Sequence, residues 1–146
     1  MKKTLFILIL VIFWFQQTYA QSMISINDYI KKNTNWVKDP ISVAYVFKRC
    51  GAVYIYVSAL TNNKDQIKAF ENASNISLKF ANDVLIEENN MSSLKAKEIV
   101  FGALDKIILN YKNDGDSSYA ATGEYTTGNY ISQDLKLCKG LVESIK

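Results

Sequence analysis

The sequence predicts an all-α fold: a small bundle of about four main helices plus a short N-terminal one, tied by one inter-helix disulfide. Three observations carry this. Apolar residues recur at three- and four-residue spacing through four long segments. One Pro and six Gly are too few for the many turns of an all-β fold. The only two cysteines, Cys50 and Cys138, each sit inside such an apolar stripe.

Residues 1–20 read as an export signal. Lys2 and Lys3 form a basic start, Leu5 to Phe15 an unbroken apolar run, and Thr18-Tyr19-Ala20 places small residues ahead of Gln21. As a helix that run spans only about 16 Å, against about 30 Å of hydrocarbon in a bilayer, so cleavage rather than anchoring is expected. The product is then periplasmic or secreted, a single helical domain over residues 21–146 with no membrane span.

Ser25 with Asp28 three residues on resembles a helix cap, opening a short helix that runs to about Lys32 and ends in Asn33-Thr34-Asn35. Asp39-Pro40 starts the next helix: the Asp accepts free backbone N–H groups, and Pro at the first helical position loses nothing by lacking one. From Ile41 to about Leu60 the chain is apolar nearly all round, which belongs at a bundle's centre. Lys48 and Arg49 at its middle rule out a membrane span, each costing about 2.5–3.5 kcal/mol on insertion. A strand around Val53 to Val57 is disfavoured because the helical spacing continues through it.

A third helix is expected from Ile67, Phe70, Ala73, Ser77, Phe80, Ala81 and Val84, stopping at Glu87-Glu88-Asn89-Asn90. Ser92 or Ser93 caps a fourth, lined by Ala96, Ile99, Val100, Ala103, Leu104, Ile107, Ile108 and Tyr111. Residues Asn113 to Gly128 are polar and hold three of the six glycines, and read as a long connection. Tyr130 to Ile145 forms the last helix, with Ile131, Leu135, Cys138, Val142 and Ile145 on one face.

An even cysteine count in an oxidising compartment predicts a Cys50–Cys138 bridge. Cys50 shares a face with Val43, Val46, Val53, Val57 and Leu60, so both thiols leave apolar stripes. Gly51 and Gly140 are expected to let the two helices approach closely enough for bonding. A reactive thiol pair is disfavoured, since there is no C-x-x-C spacing and no histidine to activate a thiolate.

The absence of histidine excludes Ser-His-Asp triads, Cys-His pairs and His-ligated zinc. Loss of Lys2 and Lys3 from 17 basic residues leaves 15 against 14 acids, a net charge near +1, and the remaining lysines are scattered. That lacks the clustered positive field nucleic-acid binding needs. Asp114-Gly115-Asp116-Ser117-Ser118 fails as a calcium loop, with Tyr119 where Gly is required, and reads as a polar turn. The sequence therefore points to no catalytic residue, no metal and no cofactor.

The candidate partner-binding residues are aromatic. Tyr119 and Tyr125 lie in the 113–128 segment with Tyr130 just after, and tyrosines among Gly, Ser and Thr make adaptable binding loops. Trp36 is a further candidate anchor; for all four the competing expectation is a ring folded back on the bundle. Arg49, flanked by Tyr45 and Tyr56, is expected to stack or snorkel rather than bind an anion.

The stretch Phe47 to Tyr54, with Asp134 to Cys138, resembles small exported helical proteins of marine bacteria and their phages. The resemblance covers those two segments and implies no assigned activity.

The expected function is a non-enzymatic interaction module in the cell envelope, an inhibitor, assembly subunit or lysis regulator engaging a protein partner. One alternative is a carrier of a small apolar ligand, which requires a closed apolar cavity of about 300 Å³ or more. Another is a carboxylate-based cell-wall hydrolase using Glu87 with Glu88 or Glu98 with Asp105, which requires two buried acids about 5–9.5 Å apart. An interaction module needs an exposed apolar or Tyr-rich patch.

Overall fold

The computed structural model describes residues 23–145, so residues 1–20, expected from the sequence to be an export signal, lie outside the described residues. Among the described residues six α-helices and one 3₁₀ turn follow in order: α1 (Ile26–Lys32), the turn (Trp36–Lys38), α2 (Pro40–Ser58), α3 (Lys64–Glu87), α4 (Ser93–Phe101), α5 (Leu104–Thr122) and α6 (Ile131–Ser144). No helix among the described residues is long and apolar enough to cross a membrane.

The caps form where the side chains dictate. Asp39 accepts from the N–H groups of Ile41 and Ser42 at 3.3 and 3.1 Å, with Pro40 leading α2. Ser25 accepts from Asp28 N–H at 3.1 Å to start α1, and Asn63 accepts from Asp65 and Gln66 to start α3. Each such cap is worth about 1 kcal/mol.

α2 is the axis of the bundle and touches α3, α4, α5, α6 and the 3₁₀ turn. One side of it, Val46, Cys50, Val53 and Val57, packs against Ile26 of α1, Ile107 and Tyr111 of α5, and Ile131, Cys138 and Val142 of α6. Another side, Ala44 and Phe47, packs against Leu78, Ala81 and Leu85 of α3 and Ala96 and Val100 of α4. A helix apolar nearly all round is satisfied by serving both clusters. Val53 to Val57 is helical throughout.

Cys50 and Cys138 are joined, with Cα atoms 5.3 Å apart, tying α2 to α6. The glycines do not play the expected part in this approach. Gly51 faces α3 instead, where an added Cβ would lie 2.6 Å from the Leu78 side chain and where Ser74 donates to the Gly51 carbonyl at 3.0 Å. Gly140 has open space beside it.

The fourth predicted helix is two helices. It breaks at Gly102, where a Cβ would run into the Glu98 carbonyl, and at Ala103, which is left-handed at φ 58°. Lys48 stabilises the break from α2, donating to the carbonyls of Ile99 at 2.8 Å and Gly102 at 3.2 Å. An ammonium at a helix C-terminus meets the negative end of its dipole.

The long connection is also corrected. α5 continues through Asn113 to Thr122 and ends at Gly123, so only residues 123–130 link α5 to α6. The helical face there is polar: Asp114, Gly115 and Ser118 are buried in register with Tyr111. The supposed polar turn at residues 114–118 is therefore helix. Hydropathic spacing misses a stripe whose inward side chains are held by hydrogen bonds instead of apolar contact.

Candidate functional site

A buried polar node lies beside the disulfide. Arg49 and Asp134 are both fully buried and form an ion pair between α2 and α6. Tyr111 of α5 donates to Asp134 at 2.6 Å and accepts from Arg49 Nε at 3.3 Å. The pair also grips the chain entering α1: Arg49 donates to the Ile24 carbonyl at 2.5 Å, and Asp134 accepts from Ile26 N–H at 2.6 Å. Rings of Tyr45, Tyr111 and Tyr130 lie within 6.0 Å of the guanidinium carbon.

Burial works against the Arg49 charge, but Tyr111 and Asp134 outweigh it and hold the guanidinium above its usual pKa. Burial pushes the Tyr111 hydroxyl well up. Asp134 is consumed by this network: its two oxygens serve Arg49, Tyr111 and the Ile26 N–H.

A second buried carboxylate, Asp114, is consumed in the same way. It accepts from the N–H groups of Asn129, Tyr130 and Ile131 at 3.0, 3.2 and 3.3 Å, and from the Asn129 side chain at 3.0 Å. These are the free donors at the start of α6, which has no side-chain cap of its own. Asp114 thus caps α6 from α5. Glu87, Glu88, Glu98 and Asp105 are all exposed, so the carboxylate pairs that a hydrolase would use are not buried. No cluster of three metal-ligating side chains occurs among the described residues.

The sequence-derived aromatic candidates separate into two kinds. Tyr119 and Tyr125 are 49% and 38% exposed and stack on each other with ring centroids 4.3 Å apart. Tyr130 turns inward: its hydroxyl donates to the Asn110 carbonyl at 2.8 Å and its ring meets Tyr111 edge-on at 5.6 Å. Trp36, half-buried in the 3₁₀ turn, packs against the α1–α2–α5–α6 core. The four rings do not converge on one site.

What the structure does assemble is a groove of about 550 Å³ where the end of α2, the first half of α3 and α6 meet. Its floor is Tyr54, Val57, Phe70, Ala73, Leu135 and Val142. Leu60 and Ala69, both exposed, stand at the edge, with Lys139, Glu143 and Thr126 around it. Tyr54 stacks on Phe70 with centroids 6.2 Å apart, and burial followed by the nearby Glu143 raises its hydroxyl above the usual pKa. A concave, mainly apolar surface with a few polar groups is what recognition of a small ligand or an apolar segment uses.

Sequence reasoning did not find this groove or the buried ion pair. For the ion pair a signal existed: Arg49 precedes Cys50, Asp134 lies one turn before Cys138, and the charges are opposite. Asp134 falls on the same face as Ile131 and Cys138. The groove left none, because Tyr54, Phe70 and Leu135 look like any core residues. Comparison of the chain with protein-family models, curated proteins and solved structures returns no match.

Proposed function

We propose that this protein is a non-enzymatic binding module of the cell envelope, exported and oxidised, whose recognition surface is the groove between α2, α3 and α6. The groove itself carries the reading: about 550 Å³ of largely apolar concavity on a disulfide-locked bundle. The disulfide supports an oxidising compartment. The engagement of Asp114 and Asp134 in capping and ion pairing supports a binding role over hydrolysis. The groove is open at the surface, unlike the closed cavity expected of a sealed carrier.

The test is capture from envelope extract with the oxidised protein, read by mass spectrometry for proteins and small molecules. Ala69→Lys places a charge at the exposed groove edge with little effect on folding, and Leu94→Lys does the same on the distant α4 surface. Whatever is captured should be lost with Ala69→Lys and kept with Leu94→Lys. Equal retention by both variants, or loss only with Leu94→Lys, would remove the groove from the function.

A further inference from the structure

We infer that Asn90 is the acceptor of an N-linked oligosaccharide, attached in the envelope by an oligosaccharyltransferase of the bacterial type. This goes beyond the groove and rests only on the reading of the chain as exported.

The chain contains three Asn-x-Ser acceptor triplets, Asn72-Ala73-Ser74, Asn75-Ile76-Ser77 and Asn90-Met91-Ser92. The residue types follow from the chemistry: the Asn supplies the amide nitrogen that takes the sugar, and the hydroxyl two residues on is what the transferase grips. A triplet must leave regular structure to enter an active site, so an acceptor belongs on a surface loop. The fold chooses among the three.

Asn72 and Asn75 lie inside α3, and their serines are already engaged. Ser74 and Ser77 are 3% and 0% exposed, and their hydroxyls donate to the carbonyls of Gly51 at 3.0 Å and Ala73 at 2.8 Å. Presenting either triplet would unwind α3 beside buried Leu78.

Asn90 is placed differently. It lies in the link of residues 88–92 between α3 and α4, where Glu88, Asn90 and Ser92 are all exposed. Its backbone is left-handed at φ 52°, a conformation Asn tolerates better than most side chains, and Met91 N–H closes the turn on the Leu85 carbonyl at 3.1 Å. Ser92 Oγ accepts from Lys95 N–H at 3.3 Å, a cap whose release to a transferase costs about 1 kcal/mol.

A second feature singles out the same triplet. Glu88 stands two residues before Asn90, whereas Phe70 precedes Asn72 and Ala73 precedes Asn75 at that distance. Transferases of the bacterial type read an acid there, and an exposed carboxylate suits a charge-assisted contact with an arginine. The site also leaves the groove clear, since α3 runs about 21 Å from Ala73 to its end at Glu87.

In the reaction the Asn90 amide nitrogen attacks the anomeric carbon of a lipid-pyrophosphate-linked oligosaccharide. The new N–C bond forms as the C–O bond to pyrophosphate breaks. The lipid pyrophosphate leaves with the electron pair, and the amide proton passes to a base of the transferase.

The test is export of the full chain by a bacterium that carries such a transferase and its lipid-linked oligosaccharide, read by intact mass and glycopeptide mapping. The expected product gains one glycan, on Asn90. Asn90→Asp and Ser92→Ala should abolish it, while Ser92→Thr, Asn72→Gln and Asn75→Gln should keep it. Glu88→Gln should lower occupancy roughly tenfold or more, the share of one contact to a charged group. A bare Asn90 in chains whose signal has been removed, or a glycan on Asn72 or Asn75, overturns the site. Full occupancy in Glu88→Gln overturns its assignment to the bacterial type. Chains kept in the cytoplasm with residues 1–20 attached overturn the export reading instead, and the modification with it.

Discussion

Arg49 and Asp134 meet across the α2–α6 interface with no solvent access, Arg49 adjacent to Cys50 and Asp134 one turn before Cys138. The same two helices are thus joined twice at one level, by a covalent link and by an ion pair. The ion pair does more than join them, because its remaining hydrogen bonds hold Ile24 and Ile26 and so seat α1.

Breaking that pair one-sidedly is predicted to be costly. Asp134→Ala or Arg49→Met leaves a buried charge uncompensated and should lower unfolding free energy by about 3–5 kcal/mol. The double variant Arg49→Met/Asp134→Leu should lose less than the sum of the singles. Urea denaturation of the four proteins checks this, and strict additivity would mean the two side chains act separately.

The disulfide encloses 88 residues of chain, for which the chain-entropy argument gives up to about 4–5 kcal/mol. Cys50→Ser and Cys138→Ser should each reduce stability by about 2–5 kcal/mol, and reductant should bring the wild type toward the same midpoint while leaving the variants unmoved. Wild-type stability in either variant would deny the link its structural role.

The α4–α5 break has its own signature. Ala103 sits at φ 58°, a region that costs a non-glycine residue about 1 kcal/mol or more, so Ala103→Gly should stabilise the protein by about that amount. Gly102→Ala should destabilise it, since the new methyl meets the Glu98 carbonyl. Thermal melts of the two variants should move in opposite directions.

Much of the architecture was written in apolar spacing. The caps at Ser25, Asp39 and Ser92, the α2 stripe and the α6 stripe all appear where their residues place them. The failures share a cause: polar residues doing inward work. Asp114 and Ser118 continue α5 through a segment that looks like loop, and Lys48 reaches across space to end α4. Such partners are set by tertiary packing and leave no period in the chain. Of the candidate site residues, only the cysteines were placed together as expected.

Alkaline titration reads the buried tyrosines. Burial, reinforced for Tyr56 by Asp116 and for Tyr130 by Asp114, pushes both hydroxyls up to about 12. An unfolded tyrosine ionises near pH ~10, so the unfolded chain releases these protons first. The folded state therefore keeps their contribution below about pH 10 and loses it as pH rises toward about 12. Phenolate absorbance should show a late native phase that moves to near pH ~10 in denaturant. A single phase near pH ~10 in the folded protein would contradict the burial of these rings.

The most direct test of the groove as the working surface is amide-resonance mapping of the oxidised protein as captured guest is added. Saturable shifts should cluster on Tyr54, Val57, Phe70, Ala73, Leu135 and Val142. Shifts gathered instead on Tyr119 and Tyr125, or on Leu94 and Phe101, would place recognition elsewhere on the bundle.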